Sequence, residues 1–85
     1  MKKIEIYTTL VCPYCVKAKG LLDRKGAKYT EIRVDLDSEA RTKMMERSAG
    51  RKTVPQIFIG DYHVGGSDDL HELEKVGKLD ELLKN

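Results

Sequence analysis

Residues 2–34 read KKIEIYTTLVCPYCVKAKGLLDRKGAKYTEIRV, and this stretch decides the fold. Between Lys2 and Thr8, Ile4 and Ile6 alternate with Lys3, Glu5 and Tyr7, the two-residue period of a strand. Thr8 to Val11 form a connection. From Pro13 to Lys25, Cys15, Ala18 and Leu22 then recur at helical spacing with Leu21 beside them, and Gly26 supplies the stop. Thr30, Ile32 and Val34 alternate with Glu31 and Arg33 in a second strand over Lys28 to Val34. Strand, helix and strand in about thirty residues make a βαβ unit, so the two strands are expected to run parallel with a right-handed crossover.

The passage from strand to helix holds Cys12-Pro13-Tyr14-Cys15. With Cys12 as the N-cap and Pro13 at the first helical position, the fixed φ of proline suits its place and its missing N–H costs nothing. The Cys12 sulfur then faces the free N–H groups of Tyr14 and Cys15, and the positive end of the helix dipole favours its thiolate. Cys15 lies on the same face one turn in, within disulfide reach of Cys12 but better shielded. This is the pattern of a thiol–disulfide redox motif, with Cys12 attacking and Cys15 resolving. Tyr14, between the two sulfurs, forms a rim for whatever docks there. Two other uses of a C-x-x-C pair compete. Zinc needs four ligands, whereas there is no third cysteine, and seven residues separate the only histidines, His63 and His71. A purely structural disulfide would close too short a loop to constrain the unfolded chain much, and belongs to oxidising compartments.

Downstream, Asp35-Leu36-Asp37-Ser38 supplies capping residues for a charged helix over Glu39 to Ser48, with Ala40, Met44 and Met45 as its apolar stripe. Gly50-Arg51-Lys52 is a short basic loop. Thr53-Val54-Pro55-Gln56 leads into a buried strand, Ile57-Phe58-Ile59, and Gly60-Asp61 suits a hairpin turn into Tyr62-His63-Val64. After Gly65-Gly66, Ser67 is expected to cap a helix with Asp68 and Asp69 in its first turn and Leu70, Leu73 and Val76 facing inward. Leu79, Leu82 and Leu83 anchor a last short helix. His63, on the hairpin, and His71, on an outer helix face, are expected to face solvent.

Eighty-five residues suffice for one modest core, so residues 1–85 are read as one domain. Lys and Arg total 16 against 14 Asp and Glu, a balance without the basic footprint of a nucleic-acid binder. No apolar run approaches membrane length, and Glu5 interrupts the N-terminal one before it could serve as a signal segment. Residence in the cytoplasm, where thiols stay reduced, is therefore expected.

Taken together, Cys12-Pro13-Tyr14-Cys15, Thr53-Val54-Pro55 and Gly65-Gly66-Ser67-Asp68-Asp69 stand in an order and spacing similar to that of the glutaredoxin family, over essentially the whole chain. The resemblance implies an α/β, thioredoxin-like fold: a four-stranded mixed sheet in the order 2-1-3-4 with helices on both faces. It implies a glutathione-dependent enzyme that reduces glutathione mixed disulfides and protein disulfides, with Cys12 as nucleophile, Cys15 as resolving thiol, glutathione as co-substrate and no metal. The glutathione site it implies comprises Tyr14, Arg51, Thr53, Val54, Pro55, Gly66, Ser67 and Asp68. A cis peptide before Pro55 would set Val54 backbone groups against extended glutathione like an added strand. Ser67 and Asp68 would receive the γ-glutamyl end, and Arg51 or Lys52 would draw in the glycine carboxylate. Partners would be glutathionylated or disulfide-bonded proteins, of the ribonucleotide-reductase type among them, met by a monomer.

In one respect the chain departs from many relatives: Thr9 stands three residues before the first cysteine, where they carry Lys, so thiolate stabilisation would lean on the helix end and Lys17. Two further functions are open. One is a thioredoxin-like reductant served by a flavoprotein reductase, against which the Gly66–Asp69 segment argues. The other is an iron–sulfur carrier ligated by Cys12 and glutathione on two subunits, a chemistry whose practitioners usually have a single active-site cysteine.

Overall fold

The computed structural model describes residues 2–84. Four strands, β1 (Ile4–Thr8), β2 (Thr30–Arg33), β3 (Gln56–Ile59) and β4 (Tyr62–Gly65), form one sheet in the order β2-β1-β3-β4. β1 and β2 pair parallel, while β3 pairs antiparallel to β1 and β4 antiparallel to β3. The first βαβ unit is as the periodicity predicts, although pairing starts at Ile4 and Thr30, two residues inside the expected strand starts.

Alternation sorts the sheet into two faces. Ile4, Ile6, Ile57 and Ile59 point to one side and pack with Ala18, Leu21 and Leu22 of α1 (Pro13–Arg24), Leu70 of α3 (Ser67–Lys75) and Leu79 of α4 (Lys78–Leu83). Tyr7 and Phe58 point to the other, where Met44 of α2 (Ser38–Arg47) covers them. Helices thus lie on both faces. Asp37 caps α2, its carboxylate accepting from the N–H groups of Glu39 and Ala40 at 3.0 and 3.2 Å. From α2, Arg47 reaches back over the sheet, with its guanidinium 4.0 Å from the Phe58 ring centroid and its Nη1 donating to Glu5 at 2.9 Å and to the Tyr7 hydroxyl at 3.1 Å.

Three expectations are corrected. Gly66 rather than Ser67 is the N-cap of α3, and Ser67 is already helical. The Asp69 carboxylate accepts from the Gly66 N–H at 2.9 Å, so the cap bond is made by the residue three positions inside the helix instead of by the serine. Val76 follows the last helical residue and is 57% exposed, because α3 ends before it can turn inward. His63 is half-buried rather than free in solvent, stacked on Phe58 with centroids 4.7 Å apart, and His71 contacts the Ser67 carbonyl at 2.8 Å through Nδ1.

This topology gathers distant segments at one end of the sheet. Because β3 is antiparallel to β1, Gln56 at its start lies opposite Tyr7 near the end of β1, which leads to Cys12. Because β4 is antiparallel to β3, Gly65 at its end lies opposite Ile57 and delivers the N-terminus of α3 to the same place. A bulge between Ile57 and Phe58 leaves Val64 without a partner, and Val64 packs into the core of the α1 face instead.

Candidate functional site

At this shared end, Cys12 is the N-cap of α1 in extended backbone, φ −151° and ψ 94°, and Pro13 opens the helix. The Cys15 N–H donates to Cys12 Sγ at 3.1 Å, so the sulfur occupies the place of a capping oxygen; of the two N–H groups expected to face it, that of Cys15 makes the bond. The two sulfurs form a disulfide across a Cα–Cα distance of 5.1 Å. Cys12 is 9% exposed and Cys15 1%, so the first sulfur is the more open of the two. No acidic residue stands in the first turn of α1 to oppose a thiolate. Lys17 lies 5.5 Å over the Tyr14 ring.

Across from the disulfide runs the Thr53–Pro55 segment. Its Val54–Pro55 peptide is cis, and the Val54 carbonyl oxygen lies 3.8 Å from Cys12 Sγ. An open groove starts here, walled by Thr53, Val54 and Pro55 on one side and by Gly66, Ser67 and Asp68 at the head of α3 on the other. Tyr14, 56% exposed, forms its rim beside the cysteines, and Arg51 closes the basic side, while Lys52 does not line it. The glutathione-site residues named from the sequence thus meet in one groove next to the sulfur pair. Among the described residues, no three or more His, Cys, Asp or Glu side chains converge as a metal-holding group, and no helix is long and apolar enough to cross a membrane.

Comparison with known proteins gives the geometry its context. A family model described as glutaredoxin matches residues 4–64. A glutaredoxin of Pseudomonas aeruginosa is 57% identical over 83 residues, covering 98% of each chain. The solution structure of a Brucella melitensis glutaredoxin superposes with a TM-score of 0.86 at 58% identity, over 99% of this chain and 90% of that one. The chain belongs to the glutaredoxin family. A crystal structure of a buckwheat glutaredoxin–glutathione complex also superposes, with a TM-score of 0.86 at 33% identity, covering 96% of this chain and 76% of that one. As a glutaredoxin, the chain is a glutathione-dependent thiol–disulfide oxidoreductase with a dithiol pair.

One groove residue escaped sequence reasoning. The sequence places Asp69 in the first turn of a helix and assigns it no part in the site, yet it holds the Gly66 N–H and stands 3.9 Å from Arg51 Nη1 at the groove wall. Its position three residues after the true N-cap was the available signal, hidden by taking Ser67 as the cap. Gln56 is the other surprise. It is fully buried beneath Thr53 and opens β3, although the sequence sets it in the polar lead before the Ile57–Ile59 run.

The glutaredoxin also ties its reactive loop from behind. The Leu10 N–H donates to Asp35 Oδ2 at 3.2 Å, and the Arg33 guanidinium grips the same carboxylate at 2.6 Å, pulling the Asp35 carboxyl down to about 2. Charge at Asp35 therefore persists through any pH at which thiols exchange.

Gly65 turns the chain from β4 toward α3. Its φ of +109° is a conformation L residues rarely adopt, and a Cβ there would collide with the Asp69 carboxylate and come within 3.2 Å of Arg51 Nη1. Gly65→Ala is expected to lose about 1 to 3 kcal/mol of stability from backbone strain, seen as a melting temperature lower by several degrees. An unchanged melting curve would mean that the β4–α3 corner relaxes freely.

Proposed function

We propose that the groove binds glutathione with its sulfur at Cys12 Sγ, and that Cys12 is the nucleophile and Cys15 the resolving thiol. The observation that carries this reading is the position of Cys12 Sγ, which is at once a cap of α1 and a neighbour of the Val54 carbonyl at 3.8 Å. A helix N-terminus lowers a cysteine's pKa, so the thiolate forms at the sulfur that faces the groove. Glutathione lies extended along Val54 in strand-like pairing, with its γ-glutamyl end at Ser67 and Asp68 and its glycine carboxylate toward Arg51. The Ser67 and Asp68 N–H groups at the head of α3 suit a carboxylate, and the Asp68 side chain suits the ammonium.

The Cys12 thiolate attacks the glutathione sulfur of a mixed disulfide. A Cys12–glutathione bond forms as the substrate sulfur departs with the electron pair and takes a proton from solvent. A second glutathione thiolate then attacks the bound glutathione sulfur, freeing glutathione disulfide and the Cys12 thiolate. In protein disulfides, Cys15 performs the second displacement, leaving the Cys12–Cys15 bond for two glutathione molecules to reduce. Substrates are glutathionylated or disulfide-bonded proteins, including ones of the ribonucleotide-reductase type, and residues 1–85 act as a monomeric single domain in the cytoplasm.

A coupled assay with a small glutathione mixed disulfide, run once with glutathione plus its reductase and once with a thioredoxin-type flavoprotein reductase, tests the reading. Turnover is expected only with glutathione. Reduction by the flavoprotein alone would remove the groove's assigned ligand.

A further inference from the structure

The groove wall contributed by Thr53–Pro55 rests on a buried polar chain that none of the steps above uses. Gln56, with no exposed surface, donates through Nε2 to the Thr53 carbonyl at 3.0 Å and to Thr53 Oγ1 at 3.2 Å. Its Oε1 meets His63 Nε2 at 2.7 Å. Turning the amide over would set oxygen against the Thr53 carbonyl oxygen, so the amide orientation is fixed by its own contacts. An amide oxygen only accepts, and His63 Nε2 must therefore carry the proton. The ring itself is held by stacking on Phe58, interplanar angle 20°, and Phe58 is in turn covered by Arg47. Burial, with Arg51 and Arg47 nearby, lowers the His63 pKa, consistent with a neutral ring whose one N–H is committed to Gln56.

We propose that His63 is a positioning residue for glutathione exchange: acting through Gln56, it holds the Thr53 backbone, and so the adjoining Val54 carbonyl, at the spacing from Cys12 that the bound tripeptide needs. The inference rests on the reading of the groove as the glutathione site. Its logic is the fate of an unmade bond. Without the His63 donor, Gln56 Oε1 is a buried acceptor with no partner. The amide is then free to rotate away from Thr53, and the exposed Thr53 loses the side-chain hydrogen bonds that hold its carbonyl and hydroxyl, while Val54 keeps its packing on the α2-side core. Cys12 keeps its own cap, because the Cys15 N–H bond is made within α1.

The test uses His63→Phe, which keeps a stacking ring on Phe58 but has no N–H, and His63→Gln, whose amide retains a donor. In the mixed-disulfide assay, His63→Phe is expected to raise KM for glutathione roughly five- to tenfold, the loss of one buried hydrogen bond, with kcat changed by less than about twofold. Alkylation of Cys12 by a small reagent should proceed at the parental rate, and His63→Gln should recover most of the KM. A Gln56→Met, His63→Phe double variant should be no worse than either alone, since both break one chain. The inference is overturned if His63→Phe lowers the melting temperature while KM stays put, or if His63→Gln is as impaired as His63→Phe. Asp68→Asn, run alongside, separates the two layers. If it raises KM and His63→Phe does not, only the positioning role fails; if neither moves KM, the glutathione groove itself is misassigned.

Discussion

Cys12→Ser is expected to abolish reduction of every disulfide, whereas Cys15→Ser is expected to keep reduction of glutathione mixed disulfides and lose most reduction of protein disulfides. The first half follows from the cap. A serine oxygen at the same place accepts the Cys15 N–H equally well, so the fold survives, but a hydroxyl is not a thiolate and no mixed disulfide forms. The second half follows from shielding. Cys15 is 1% exposed inside the first turn, beyond the approach of an external disulfide but beside the Cys12 sulfur, so it is needed only when no glutathione leaves a simpler exit. Parallel assays with a small glutathione mixed disulfide and with a disulfide-bonded protein read both halves. An active Cys12→Ser with a dead Cys15→Ser would reverse the roles.

Asp68→Asn is expected to raise the apparent glutathione requirement by about tenfold or more, while a small alkylating agent still reacts with Cys12 at the parental rate. Among the described residues, the Asp68 carboxylate has neither a hydrogen bond nor an ion pair, while its neighbour Asp69 holds the Gly66 N–H and faces Arg51. Capping is thus delegated to Asp69, and the Asp68 charge points at the groove without a protein partner. A charge-assisted hydrogen bond to the ligand ammonium is worth about 1.5 to 3 kcal/mol, and solvent at the open groove mouth argues for the lower end. As a dipole partner alone, Asp68 would lose only about 0.3 to 1 kcal/mol of stability on the change to Asn, with no effect on glutathione. Unaltered glutathione kinetics with a lowered melting temperature would mark it as such a partner.

Much of the fold is legible because its strands alternate. Ile4 and Ile6, then Ile57 and Ile59, carry a period of two that specifies both pairing and face, and the Cys12–Pro13 cap is a local event needing no tertiary information. The position of each groove segment was also readable, since turn and cap residues punctuate the chain at Thr53–Pro55 and Gly65–Asp69. What stayed hidden depends on contacts across the sheet. Gln56 and His63 look like a polar residue at a strand start and a solvent-facing hairpin residue, and only the antiparallel register of β3 and β4 brings them to 2.7 Å. The cap of α3 was missed for a related reason. Serine is the better capping side chain by preference, but the φ of Gly65 and the bond from Gly66 to Asp69 start the helix one residue earlier.

The sheet order leaves β2 and β4 at the edges, four residues each. Along β2 the side chains most open to solvent are Thr30 and Glu31, and Glu31 is already engaged with the Thr8 hydroxyl at 2.7 Å and Lys19 at 3.0 Å. A strand of another molecule approaching this edge finds a short ladder guarded by fixed charge. At the opposite edge it meets a bulge that breaks the register after two residues. Short, charged or kinked rims are how sheets discourage lateral growth into fibres. A chain that cycles between reduced and oxidised states thereby carries its own guard against polymerising edge to edge.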